Sequence, residues 1–86
     1  MFVERSARRY QVRLPVKDGE HIAFTRDIST AGIFFETPRA HAVGEEVGLE
    51  TQFDDTRVRY AGRVVRVESI NEHYGVAVAL TSYRFD

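Results

Sequence analysis

From Tyr74 to Leu80 the side chains alternate strictly, Val76, Val78 and Leu80 against Gly75, Ala77 and Ala79. A period of two fits an extended strand, because successive side chains of a strand leave opposite faces of the sheet. The same period recurs along the chain. Tyr10, Val12, Leu14 and Val16 alternate with Arg9, Gln11, Arg13 and Pro15, so one face is apolar and the other carries both arginines. After the turn signal Lys17-Asp18-Gly19-Glu20 a second strand is expected over His21 to Arg26, and Ile33-Phe34-Phe35 reads as a short apolar one. Val47 and Leu49 mark a strand over Glu46 to Phe53, and Val58, Tyr60, Val64, Val65 and Val67 a longer one over Arg57 to Glu68. No stretch makes a convincing amphipathic helix. Six short strands separated by turn residues predict an all-β, antiparallel barrel or sandwich.

Eighty-six residues make one domain. We divide it into an N-terminal arginine arm (1–13), a strand-built body (14–80) and a short tail (81–86). A chain of this size buries roughly 60–65% of its unfolded surface. Its 43% hydrophobic content, with six Phe and four Tyr, suffices for one core. There is no Cys, hence no disulfide framework and no thiolate chemistry. No run approaches the roughly 20 apolar residues of a membrane span, and the N-terminus carries no apolar leader. The expected location is cytoplasmic, with no membrane contact.

The net charge of −1 argues against a protein that coats nucleic acid by bulk electrostatics. The distribution is uneven. Arg5, Arg8, Arg9, Arg13 and Lys17 load the first segment, whereas Glu45, Glu46, Glu50, Asp54 and Asp55 make the middle acidic. His21, His41 and His73 lie in three separate segments without paired spacing, so solvated or structural roles are expected and no metal site. Ser29 has no nucleophile-elbow sequence around it, and no enzyme activity is expected. The aromatic residues Phe24, Phe34, Phe35, Phe53 and Tyr60 sit in apolar runs and read mostly as core rather than as a stacking platform for single-stranded RNA.

Two segments carry chemistry. Arg9-Tyr10-Gln11-Val12-Arg13 holds two arginines four apart, with Arg8 beside them, and Asp27-Ile28-Ser29-Thr30-Ala31-Gly32 holds a carboxylate, a hydroxyl and a glycine. Each has an ordinary reading: solvated charge on an edge strand for the first, an Asx or Ser/Thr turn with a glycine at positive φ for the second. Taken together they meet the needs of a phosphorylated guanine nucleotide. Guanidinium forks match phosphate oxygens and the guanine O6/N7 edge, and a carboxylate accepts from guanine N1–H and N2–H₂. Asp27 beside a phosphate would repel it, so its partner must be the base. Ser29 holds the loop or touches a phosphate, and Gly32 lets a ligand approach the backbone.

In these motifs the chain resembles the PilZ domain family, small β-barrels that receive the bacterial second messenger cyclic di-GMP. The family pattern is R-x-x-x-R, often after a further Arg, then [DN]-x-S-x-x-G. Arg9 and Arg13 fit the first element, Arg8 the preceding position, and Asp27, Ser29 and Gly32 the second. The likeness extends through Gly32-Ile33-Phe34-Phe35, through Val43-Gly44-Glu45-Glu46-Val47, and through Gly62-Arg63-Val64-Val65-Arg66-Val67 to Tyr74-Gly75-Val76-Ala77-Val78. It implies a six-stranded antiparallel barrel with a flexible N-terminal arm folding over a ligand on the barrel's outer surface. Many family members continue into a C-terminal helix; with the chain stopping at Asp86, little or none is expected here. The resemblance implies a cyclic di-GMP receptor or adaptor that needs no cofactor, contacts Arg8, Arg9, Arg13, Asp27, Ser29 and Gly32, and presents an altered surface to a downstream protein. The rival reading is a PilZ-like protein-interaction module that takes no nucleotide.

Overall fold

The structure, a computed structural model, describes residues 9–85. Six strands are present: β1 (Pro15–Asp18), β2 (His21–Ile28), β3 (Gly32–Thr37), β4 (Glu46–Phe53), β5 (Thr56–Ile70) and β6 (His73–Phe85). They close into an antiparallel barrel in the order β1-β2-β3-β6-β5-β4, with β4 returning to β1. Sequential strands are hairpin neighbours except across residues 38–45, which carry the chain from β3 to the far side of the barrel. The expected all-β barrel is the observed one, and no described residue is helical.

The register sorts side chains into an inner and an outer wall. Ile33 lies opposite Val78, and Val78 opposite Val64; Phe35 lies opposite Val76, and Val76 opposite Val67. These rows point inward and, with Val16, Ala23, Val47 and Leu49, form the core. Phe35 is fully buried at its centre. A buried aromatic or aliphatic side chain of this kind contributes about 1.5–3 kcal/mol relative to exposure, so a handful hold so small a domain together.

Glycine and alanine serve the wall where strands crowd. A Cβ on Gly62 would lie 2.4 Å from the Ala79 carbonyl oxygen and 2.6 Å from Val78 Cγ1. One on Gly32 would lie 2.7 Å from the Val78 carbonyl oxygen. Gly32 is therefore required by the approach of β3 to β6. It is not among the glycines with positive φ, which are Gly19 and Gly44.

Two boundaries differ from the sequence-based expectation. The apolar alternation beginning at Tyr10 becomes a laddered strand only from Pro15, opposite Phe24. Between Tyr10 and Leu14 the chain still runs along β2, but the Thr25 hydroxyl intervenes, accepting from Leu14 N–H and donating to the Val12 carbonyl. Tyr10, placed on the apolar side by alternation, is 59% exposed. Residues 81–85, expected as a tail, extend β6, because β5 is long enough to pair Val58 with Phe85.

The crossover after β3 is fastened by a buried polar cluster. Asp18, 1% exposed, accepts from the Thr37 hydroxyl at 3.1 Å and the Arg39 guanidinium at 2.9 Å, and faces His41 Nε2 at 2.8 Å. The other His41 ring nitrogen meets Glu45 at 3.0 Å. His41 thus takes the structural role expected of it. Backbone N–H donation from Ala42 holds the Glu45 carboxyl below the usual carboxylate range; burial opposes this, and His41 and Arg39 add to it.

Candidate functional site

The outer wall carries a second set of cross-strand rows. Asp27 of β2 pairs with Phe34 of β3, Phe34 with Ala77 of β6, and Ala77 with Arg66 of β5. One step along, Phe24, Glu36, Gly75 and Glu68 form a parallel row. Directly opposed residues share a face, and the partners of Phe34 and Phe24 all lie outside the core. These rows, Gly75 excepted, line an open cavity of about 780 Å³. Ala77 keeps the floor low, and Gly75 makes room beneath it: a Cβ on Gly75 would stand 2.7 Å from Phe34 Cζ, so the Phe34 ring lies against the glycine.

Two register shifts put charge on this face. Between Thr25 and Asp27 the β2–β3 ladder slips, and between Val64 and Arg66 the β5–β6 ladder slips. A bulge lets two consecutive residues face the same way and so re-aims a side chain. Thr25 is buried inward and Ile28 packs on the core, while Arg26 and Asp27 between them line the cavity. On β5, Val64 is buried and Val67 packs on the core, while Val65 and Arg66 line the cavity.

The arm supplies the remaining wall. Tyr10 and Ile28 exchange backbone hydrogen bonds of 2.8 and 2.9 Å, and Val12 N–H donates to the Arg26 carbonyl at 3.2 Å. This part of the arm, expected to be flexible, is laid along β2. Arg9 forms an ion pair with Asp27. Arg13 places its guanidinium carbon 3.9 Å from the centroid of the Phe24 ring, a cation–π contact. Arg8 lies outside the described residues.

The structure therefore brings Arg9, Arg13, Asp27, Ser29 and Gly32 to one cavity. Ser29 is 7% exposed, and its hydroxyl accepts from the N–H groups of Ala31 and Gly32, both at 3.1 Å. Ser29 N–H in turn donates to the Gly32 carbonyl at 2.9 Å. Of the two roles expected for Ser29, holding the loop is the one its bonds describe. Four arginines line the cavity against Asp27, Glu36 and Glu68. Arg9 is paired with Asp27, Arg26 with Glu36 at 3.2 Å and Arg66 with Glu68 at 3.1 Å. Among the described residues, Arg13 is the one of the four with no carboxylate partner.

Sequence reasoning missed Arg26 and Arg66 and counted Phe24 and Phe34 among five aromatic residues read mostly as core. Phe34 is indeed buried, at 9% exposed, but both rings line the cavity rather than the inward-facing cluster, Phe34 with two arginines near its ring. A signal was present. Val64-Val65-Arg66-Val67 puts apolar residues three apart, a phase slip that a regular strand cannot bury on one side.

Comparison with known families settles the kinship. A family model described as PilZ domain matches residues 4–84. The chain belongs to the PilZ domain family. No curated protein matches it. PilZ domains are generally receptors for cyclic di-GMP and are binding rather than catalytic domains. Among the described residues no group of three or more His, Cys, Asp or Glu is arranged to hold a metal ion, and no helix is long and apolar enough to cross a membrane.

Proposed function

We propose that this PilZ domain is a cytoplasmic receptor for cyclic di-GMP and acts as a receptor or adaptor, not an enzyme. The observation that carries the reading is the convergence of Arg9 and Arg13 from the arm with Asp27 from β2 on one open cavity of about 780 Å³. Arg13, poised over Phe24, meets a phosphate without first leaving a carboxylate. Arg9 turns from Asp27 to a phosphate as the ligand arrives, and Asp27, released, accepts from guanine N1–H and N2–H₂. Arg8 reinforces the arm's positive charge. Ser29 holds the loop after β2 in shape, and Gly32 keeps β3 close to β6 beneath it.

The exchange of partners supplies the output. Arg9 leaves a bond within the protein and joins one across the ligand, so the arm is held by the dinucleotide as well as by β2. That changes the surface offered to a downstream protein partner. The rival reading, an interaction module without nucleotide, draws on the carboxylates that already partner three of the four arginines. Titration with cyclic di-GMP followed by amide NMR decides between them. The receptor requires saturable shifts centred on Arg9, Arg13, Asp27 and Ser29. An unchanged spectrum at millimolar ligand leaves the interaction module in possession.

A further inference from the structure

The recognition motifs occupy only one side of the cavity. Asp27 stands at one end of a cross-strand row, and Arg66 stands at the other, three strands away. At a strand spacing of about 4.8 Å that separation is about 14 Å. Between them lie Phe34 and Ala77, one flat ring and one methyl. Nothing in the motif chemistry uses the far end.

The far end is nevertheless built. The bulge at Val65 turns Arg66 outward, where regular alternation after the buried Val64 would have sent it into the core. Arg66 places its guanidinium carbon 5.5 Å from the Phe34 ring centroid, and Arg26, on β2, places its own at 5.7 Å. The Arg66 side chain is 61% exposed, so its hydrogen-bonding edge is open to the cavity while Glu68 steadies it at 3.1 Å. A planar fork beside an aromatic ring, above a floor of small residues, suits a flat heterocycle with an acceptor edge.

We propose that Arg66, set beside Phe34, recognises the second purine of the dinucleotide, its fork meeting the O6/N7 edge while Asp27 takes the first. The inference rests on the receptor reading and extends it: the site spans four strands and selects for two linked guanines rather than one. Glu68 holds the Arg66 fork in the free protein and yields to the base, as Asp27 yields Arg9.

The test is calorimetric titration of cyclic di-GMP into the parent protein and into Arg13→Ala, Arg66→Ala and Arg66→Lys, with a melting curve for each. Arg66→Ala is expected to bind about tenfold more weakly, the loss of one bidentate contact to a guanine. Arg66→Lys keeps the charge but not the fork and is expected to lose nearly as much. Melting temperatures should stay within a few degrees of the parent, because the side chain is mostly in water. Parent-like affinity in Arg66→Ala, with binding weakened in Arg13→Ala, overturns this inference and leaves the receptor intact. Parent-like affinity in Arg66→Lys overturns recognition by the fork. If the parent takes up no cyclic di-GMP, the receptor reading falls and this inference with it.

Discussion

Arg9 and Arg13 look equivalent as letters, yet the structure makes them unequal, and the inequality is measurable. A charge-assisted hydrogen bond to a phosphate contributes about 1.5–3 kcal/mol. Arg13 delivers that contribution in full, because its guanidinium rests on Phe24 and no carboxylate must be displaced. Arg9 must first leave Asp27. That pair is 68% and 24% exposed at its two side chains, so it is worth about 0.2–1 kcal/mol. Removing Arg9 forfeits the phosphate bond but also spares the ligand the cost of opening the pair. The net loss for Arg9→Ala is then about 0.5–2.8 kcal/mol, roughly two- to a hundredfold in affinity, and in any one protein smaller than the loss for Arg13→Ala by the cost of opening the pair. For Arg13→Ala it is about 1.5–3 kcal/mol, roughly ten- to 150-fold. Calorimetric titration of cyclic di-GMP into both variants ranks them in one experiment. An Arg9→Ala protein weakened as much as Arg13→Ala, or more, refutes the partner-exchange argument even if both bind less well than the parent.

Three further outcomes follow from the wall and the crossover. Asp18→Asn keeps the shape but removes the charge that Arg39 and His41 face; partial exposure of Arg39 moderates the loss to about 2–4 kcal/mol, read as a fall of roughly 8–30 °C in melting temperature. Gly62→Ala drives a Cβ to within 2.4 Å of the Ala79 carbonyl oxygen and should cost about 1–3 kcal/mol in urea unfolding, whereas Gly48→Ala, whose Cβ finds its nearest neighbour at 3.9 Å, should cost less than 1 kcal/mol from crowding. The folded-state pKa of Glu45 is depressed, so its contribution to stability is complete above the unfolded value and disappears as pH falls through the folded one. Acid unfolding of Glu45→Gln should accordingly show a shallower loss of stability below about pH 4.3 than the parent, and parallel curves would contradict the assignment.

Period-two alternation was enough to find the strands because one face of nearly every one is buried, and burial punishes any other register. Val76, Val78 and Leu80 illustrate this: each opposes a residue of β5 in a ladder that the apolar pattern alone anticipates. The pattern failed where side chains substitute for backbone. Between Tyr10 and Leu14 the Thr25 hydroxyl takes bonds that a regular ladder would have made, and no hydropathy pattern encodes that. The near half of the cavity was legible because Arg9, Arg13 and Asp27 are charged residues at fixed offsets. The far half was not, since Arg66 reaches the cavity only through a bulge, and Phe34 looked like core because it is apolar and sits between two core residues. Asp18 read as a turn residue; its partners Thr37, Arg39 and His41 lie about twenty positions on, beyond any local signal.

The two sides of the barrel wall can change on separate terms. Residues that fill the interior alternate with those that line the cavity, so a substitution at Ala77 or Arg66 alters what is recognised and leaves the packing inside untouched. At the slips at Arg26 and Val65 the outer side gains one residue that the inner side does not count: take Val65 away and plain alternation still leaves Val64 and Val67 inward and Arg66 outward. A lineage can therefore retune or abandon its ligand by point substitution, or by trimming a bulge, while the inner face keeps its register.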